Sequence, residues 1–398
     1  MAAILLCGCA DSGSTPGDDG TSTSEGTTTS RGSSDGDPGT SPTGSSATSG
    51  ADASSSGGDE PSPYDAAGPF AVGVQSRVVA GAGRDIRTTT WYPTEQGGAT
   101  TALAELYDEP DATTLAALMA AAPPDCVRAE MDATLDAPVA AGSFPIVMFS
   151  HCLSCLGVSS SFVAERLASH GIVVVGVTHT DDTLFDQQEG NVADLSARWL
   201  QVRSQDVRMA FDAAIADGPV AAVVDPRRAG VFGHSYGAAT TGKVLADDDR
   251  FVAGVALAAP VQNPLLPGVM TADIAEPMLL LLAQEDNSIL EIGNNFIRDN
   301  AAALPGGSWL VEVADAGHWS VSDLCGVIDA FAPGCGEGTR QGGGEPFTYI
   351  PAQAGRQIAA TYVTTFFALH LLGDAAAEDD LLVAAPPELV TVTRFAPM

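Results

Sequence analysis

The sequence predicts an α/β domain: a mostly parallel sheet with helices on both faces, preceded by an antiparallel hairpin. Three observations predict it. From residue 144 onward, short apolar runs alternate with amphipathic ones. The runs at 172–178 (IVVVGVT) and 277–283 (PMLLLLA) lack polar alternation, as strands covered on both faces require. Upstream, 72–80 and 86–92 do alternate about Gly81 and Gly83, the pattern of a hairpin.

The elements follow in order. Residues 101–122 are Ala-rich and end at Pro123 and Pro124, which predicts a helix, either a lid or a cover for the sheet edge. Residues 144–150 (FPIVMFS) form a strand, 158–170 a helix stopped by Gly171, and 172–178 a second parallel strand. A long helix is expected over 194–217, with Leu195, Trp199, Val202, Val207, Phe211 and Ile215 at steps of three to five residues. Strand 228–233, helix 238–245, strand 251–259, strand 277–283, helix 290–303, strand 309–313 and helix 357–372 complete the alternation. In such sheets the chemistry gathers beyond the carboxyl ends of the strands.

Composition narrows the function. The 398 residues hold 50 Asp and Glu against 17 Lys and Arg, a net charge of −33. That field repels nucleic acid and anionic lipid. Lys243 is the sole lysine, so neither a polybasic patch nor a choice of Schiff-base residues exists. No run approaches the roughly 18–20 apolar residues of a membrane span. No HExxH or paired CxxC motif is present, so no metal is expected.

The amino terminus divides into residues 1–9, a linker over 10–63 and a folded domain over 64–398. Leu6-Cys7-Gly8-Cys9 resembles a lipobox, with Cys9 as the lipidated residue and the charged part of the signal expected upstream. Residues 10–63 contain no Val, Ile, Leu, Met or aromatic residue, so they have nothing to bury and are expected to act as a disordered tether. Together these predict a bacterial cell-envelope lipoprotein, in the outer membrane or periplasm, or a secreted protein. Its one membrane contact would be the N-terminal lipid.

Gly233-His234-Ser235-Tyr236-Gly237 is a G-x-S-x-G pattern between a strand and a small-residue helix. The glycines allow a sharp turn that lifts the serine hydroxyl above the sheet. A serine needs a base, and the base needs a partner to hold its tautomer. His318, in the Gly317-His318-Trp319 loop after the last parallel strand, is the expected base; His370 lies in an apolar helix and reads as core. The acid should leave the strand at 277–283, where Asp286 fits the loop position and Glu285 is the alternative; Asp286 could also simply cap the next helix.

The order Ser235, Asp286, His318 and the segments 145–151, GHSYG, PMLLLLAQED and AGH resemble the α/β-hydrolase fold. Within it they are similar to the dienelactone hydrolase and platelet-activating-factor acetylhydrolase branch, with cutinase-like polyester hydrolases as near relatives. The resemblance spans roughly 64–372. It implies a cofactor-free serine esterase, expected as a monomer, acting on a short-to-medium acyl ester, a lipid ester or a polyester. The rival reading is a catalytically silent surface binding protein on the same fold. The resemblance implies Tyr236 and Leu153 as the oxyanion-hole amides, although Cys152 stands where relatives carry glycine. His151 then holds the loop. His179 and Asp181 should face the cleft as pocket wall or loop anchor, and Trp319 is a subsite residue or packing. Among seven cysteines, Cys325 and Cys335 bracket a short loop and are expected to pair. One further bridge is expected among Cys126, Cys152 and Cys155, leaving one thiol.

Overall fold

The computed structural model describes residues 62–398 apart from Ala82 and Ala384. Cys9 and nearly all of the tether lie outside the described residues.

The hairpin forms as β1 (Ala71–Val79) and β2 (Ile86–Thr94). Next come β3 (Thr101–Ala102), α1 (Asp111–Ala121), β4 (Glu130–Met131) and β5 (Thr134–Leu135). The repeating part is β6 (Phe144–Ser150), α2 (Ser161–Ser169), β7 (Val173–Thr178), α3 (Leu184–Gln188), α4 (Ala197–Ala216), β8 (Val224–His234), α5 (Tyr236–Asp247), β9 (Phe251–Leu257), β10 (Met278–Ala283), α6 (Leu290–Ala303) and β11 (Ser308–Val313). A small ribbon of β12 (Glu337–Thr339) and β13 (Pro346–Thr348) precedes α7 (Ala352–Phe367), α8 (Ala377–Asp380) and β14 (Val390–Phe395).

Ten strands make one sheet in the order β14-β11-β10-β9-β8-β6-β7-β2-β1-β5. The six from β11 to β7 are parallel to one another; β14 joins one edge antiparallel and the β1–β2 hairpin joins the other. Side chains of a strand alternate between faces, and β6 shows the result. Val147 and Phe149 enter the core shared with α2 and α7, whereas Ile146 and Met148 enter the core shared with α4, α5 and α6. All four are at most 1% exposed, which is why the segment reads as an unbroken apolar run.

Two expectations change. Residues 101–122 are not one helix: β3 and a single 3₁₀ turn (Leu103–Leu106) come first, and α1 begins only after Pro110. Proline lacks the N–H that a helix interior needs and is tolerated at a helix start, so it divides the run. The strand β14 was not expected after the closing helix. Its VTVTRF alternation fits an edge strand, and it pairs along the full length of β11. Among the described residues, no helix is long and apolar enough to cross a membrane.

Candidate active site

The turn from β8 into α5 carries Ser235 with φ 57° and ψ −118°, a region that L-residues rarely occupy. Both flanking glycines are sterically required. A Cβ on Gly233 would run into the carbonyl of Gly237, and one on Gly237 into the carbonyl oxygen of Ser150. The second contact also presses the start of α5 against the loop that leaves β6.

The loop after β11 brings His318 across the rim. Ser235 Oγ lies 2.8 Å from His318 Nε2, and His318 Nδ1 lies 2.7 Å from Asp286 Oδ2. His318 is 3% exposed and Asp286 0%. The second oxygen of Asp286 accepts the backbone N–H groups of Ser288 and Ile289, at 2.9 and 3.1 Å. These N–H groups belong to the turn ahead of α6, whose N-cap is Ile289 with no side-chain cap, so Asp286 orients the base, and the N–H bonds aim its carboxylate at the imidazole. Glu285 points elsewhere, to Arg340 (2.9 Å) and the amide of Gln341 (2.9 Å).

His234 supports this arrangement from behind. Its Nε2–H donates to the carbonyl of His318 at 2.9 Å, and burial pushes its pKa down to about 3, so it stays neutral. Trp319 stacks on Phe331 with centroids 3.8 Å apart and meets the rings of His234 and His318 edge-on.

The cavity beside Ser235 is lined by Leu153 and Tyr236, and further by Leu195, Pro260, Leu266, Ile289 and Phe296. None of its lining residues is charged. Leu265 and Ile292 stand at it 54% and 43% exposed. Both residues expected to supply oxyanion amides thus line the same cavity as the nucleophile. Trp319, His179 and Asp181 do not line this cavity. Trp319 packs behind the base. His179 is fully buried and anchors the loop after β6: its Nε2 accepts from Ser150 Oγ at 2.9 Å, and its Nδ1–H donates to Asp206 at 2.9 Å. Asp181 is a surface partner of Arg84 beside a different, acidic hollow. Helix α1 lines no part of the cavity, and packs Leu115 and Met119 into the core instead.

The cysteine pairing differs from the expected Cys325–Cys335 bridge. The structure joins Cys126 to Cys335 and Cys152 to Cys155, and leaves Cys325 as a buried thiol whose pKa burial pushes up to about 12. Nearness in sequence misled: Cys325 turns into the core, while Cys335 faces Cys126, which arrives from the segment between α1 and β4, 209 residues away. The Cys152–Cys155 bridge spans Leu153.

One residue with a central place went unnoticed in the sequence. Arg203 on α4 is 0% exposed and reaches the loop after β6. The signal was present: it lies four residues from both Trp199 and Val207, a charge on the apolar stripe. Among the described residues, no group of three or more His, Cys, Asp or Glu side chains is placed to hold a metal ion.

The pattern of the family "Platelet-activating factor acetylhydrolase, isoform II" matches residues 64–208, and that of the prolyl oligopeptidase family matches 161–283. Platelet-activating factor acetylhydrolase of Cavia porcellus is 28% identical over 165 residues, covering 32% of this chain and 38% of that protein. The Bos taurus protein of the same name is 27% identical over 206 residues, covering 41% of this chain and 44% of that protein. The chain thus spans less than half the length of these curated relatives. A solved ferulic acid esterase from Streptomyces cinnamoneus superposes with a TM-score of 0.61 at 21% identity, over 82% of this chain and 96% of that one. The parallel sheet, the elbow between strand and helix and the likeness to this solved structure show that the chain has the α/β-hydrolase fold.

Proposed function

We propose that this chain is a serine-dependent carboxylic ester hydrolase working through an acyl-enzyme. One observation carries the reading: an unbroken chain of hydrogen bonds from Ser235 Oγ through His318 to Asp286, at 2.8 and 2.7 Å, beginning on a strained elbow. Ser235 Oγ attacks the ester carbonyl carbon as His318 Nε2 takes its proton. Asp286 holds Nδ1–H and stabilises the imidazolium. The tetrahedral oxyanion accepts from the amides of Leu153 and Tyr236. His318 then protonates the departing alcohol, and water cleaves the acyl-enzyme by the same steps in reverse roles.

The uncharged, apolar cavity supports an uncharged acyl or aryl group of short-to-medium size. The two disulfides support export to an oxidising compartment, at the cell envelope or outside the cell. Ser235→Ala tests the mechanism with a chain-length series of p-nitrophenyl esters. The variant is expected to remain folded and to lose about 10⁴-fold or more in kcat. Retained turnover sinks the assignment. A fluorophosphonate probe labels an activated serine and separates this reading from a silent binding protein.

A further inference from the structure

The loop from Ser150 to Cys155 is tied at nearly every residue, and the ties converge on one buried guanidinium. Arg203 donates to the carbonyl oxygen of His151, to Ser150 Oγ at 3.2 Å, and to Asp182. Asp182 accepts the backbone N–H of Ser154 at 2.7 Å with its other oxygen. Arg203, directly and through Asp182, therefore grips the chain on both sides of Leu153.

The same side chain reaches the other half of the oxyanion hole. Its Nε–H donates to Thr240 Oγ1 at 3.1 Å, and that hydroxyl donates to the carbonyl of Tyr236 at 3.0 Å. Its guanidinium lies 4.7 Å from the centre of the Tyr236 ring. A planar, five-donor fork can hold four partners in fixed directions; an ammonium group cannot.

The proton directions agree throughout. Ser150 Oγ accepts from Arg203 and donates to His179 Nε2, whose Nδ1–H donates to Asp206. His151 Nδ1–H donates to the Cys152 carbonyl at 2.6 Å, and its Nε2 accepts the N–H of His179 at 3.0 Å. Burial, then the nearby Arg203 charge, holds both imidazoles well below their ordinary pKa, which keeps these donor and acceptor assignments in place.

We propose that Arg203 is a positioning residue that fixes the loop of Leu153 and the first turn of α5 relative to one another, and so sets the geometry of the oxyanion hole; the proposal rests on the esterase reading above. It touches no substrate. Its effect is on where two amides point, and a misplacement of about 1 Å at such a site can cost about 10²-fold in rate.

Arg203→Lys keeps the charge and loses the fork. It is expected to lower kcat by about 10²-fold while KM stays within about twofold, because the hole is needed in the transition state and not for ester binding. Phenylboronic acid forms a tetrahedral adduct on the serine, so its inhibition constant should rise by a comparable factor. Arg203→Met combined with Asp182→Asn removes fork and carboxylate together, leaving no unpaired buried charge; circular dichroism and Tm establish its fold, and the same losses are expected. Wild-type kcat and boronate affinity in either folded variant overturn the proposal, as does a change confined to KM. A wild-type protein without Ser235-dependent turnover overturns the esterase reading and this proposal together. An active wild type with unaffected variants overturns the clamp alone.

Discussion

Two loops leave the same rim of the sheet, and the contacts nearest their working residues differ in kind. The loop after β6, which carries Leu153, is fixed by buried charges and imidazoles: Arg203, Asp182, His151, His179 and, behind them, Asp206 and Arg84. The loop after β11, which carries His318, is fixed by aromatic stacking of Trp319 on Phe331, by Ser320 Oγ between the Gly317 amide and the Gly334 carbonyl, by the Cys126–Cys335 bridge, and farther from the base by the buried Asp323 carboxylate, which accepts from Ser161 Oγ and the Phe162 N–H and lies within 4.0 Å of Arg128 and Arg356. The difference follows from what each loop must do. An oxyanion amide is a backbone group, and a dense polar network can aim backbone. The base is a side chain that must accept a proton, and the carboxylate it meets at hydrogen-bond distance, Asp286, favours the imidazolium that results.

The comparison can be broken at its centre by Asp286→Asn. The amide oxygen can still accept the Ser288 and Ile289 N–H groups, but the side chain no longer keeps the Nδ1–H tautomer, so kcat should fall about 10⁴-fold with the fold intact; a modest loss in ester hydrolysis would remove Asp286 from the reaction. Next in size is Cys126→Ser. It opens a bridge spanning 209 residues, and a cost of about 3–5 kcal/mol is expected by denaturant unfolding. Activity of the remaining folded fraction should change less than stability, since the bridge ties the outer part of the loop; equal stability with and without the bridge would show that the loop's noncovalent contacts suffice to hold it.

Acid should separate the loops further. His151, His179 and His234 are buried and neutral in the folded protein, with their folded pKa depressed. Their contribution to stability is therefore present above the unfolded value of about 6.5 and is lost as pH falls below it, at about 1.4 kcal/mol per pH unit for each proton taken up on unfolding. Glu165 opposes them, because burial pushes its carboxyl up to about 7 and unfolding releases its proton. His170 and His370, also depressed by burial, add to the loss, and Asp111, Asp182 and Asp206, raised by burial, oppose it as Glu165 does; five imidazoles against four carboxyls leave a net loss between pH 6.5 and 5.5. A guanidinium midpoint independent of pH over that range would contradict it. The smallest effect belongs to Asp181→Asn. Its side chain is 72% exposed beside Arg84 and faces no part of the ester cavity, so stability should move by less than about 1 kcal/mol and kcat/KM should be unchanged. A clear change in KM would restore it to the substrate site.

Much of the site is legible in the residues because its information is local. The G-x-S-x-G turn is a steric statement about five consecutive residues for Gly233, whose obstacle is the Gly237 carbonyl; the obstacle at Gly237 is the distant Ser150 carbonyl, which only the fold brings there. The parallel strands are legible because burial on both faces leaves an apolar run with no alternative use. Residues 101–122 show where this fails: alanine content suggests a helix throughout, and Pro110 decides where it begins. Trp319 shows a second limit. An aromatic beside a base suits a subsite and a packing role equally in sequence, and its neighbour Phe331, twelve positions on, selects packing.

From sequence alone came the class of sheet, the elbow serine and the chain order of serine, acid and base, since each depends on short-range sterics or on which strand end a residue follows. The tertiary structure alone decided which cysteines meet, which residues line the cavity and where Arg203 reaches. These depend on contacts between segments tens to hundreds of residues apart, and the period of a helix or strand shows which side chains turn inward without showing what they meet there.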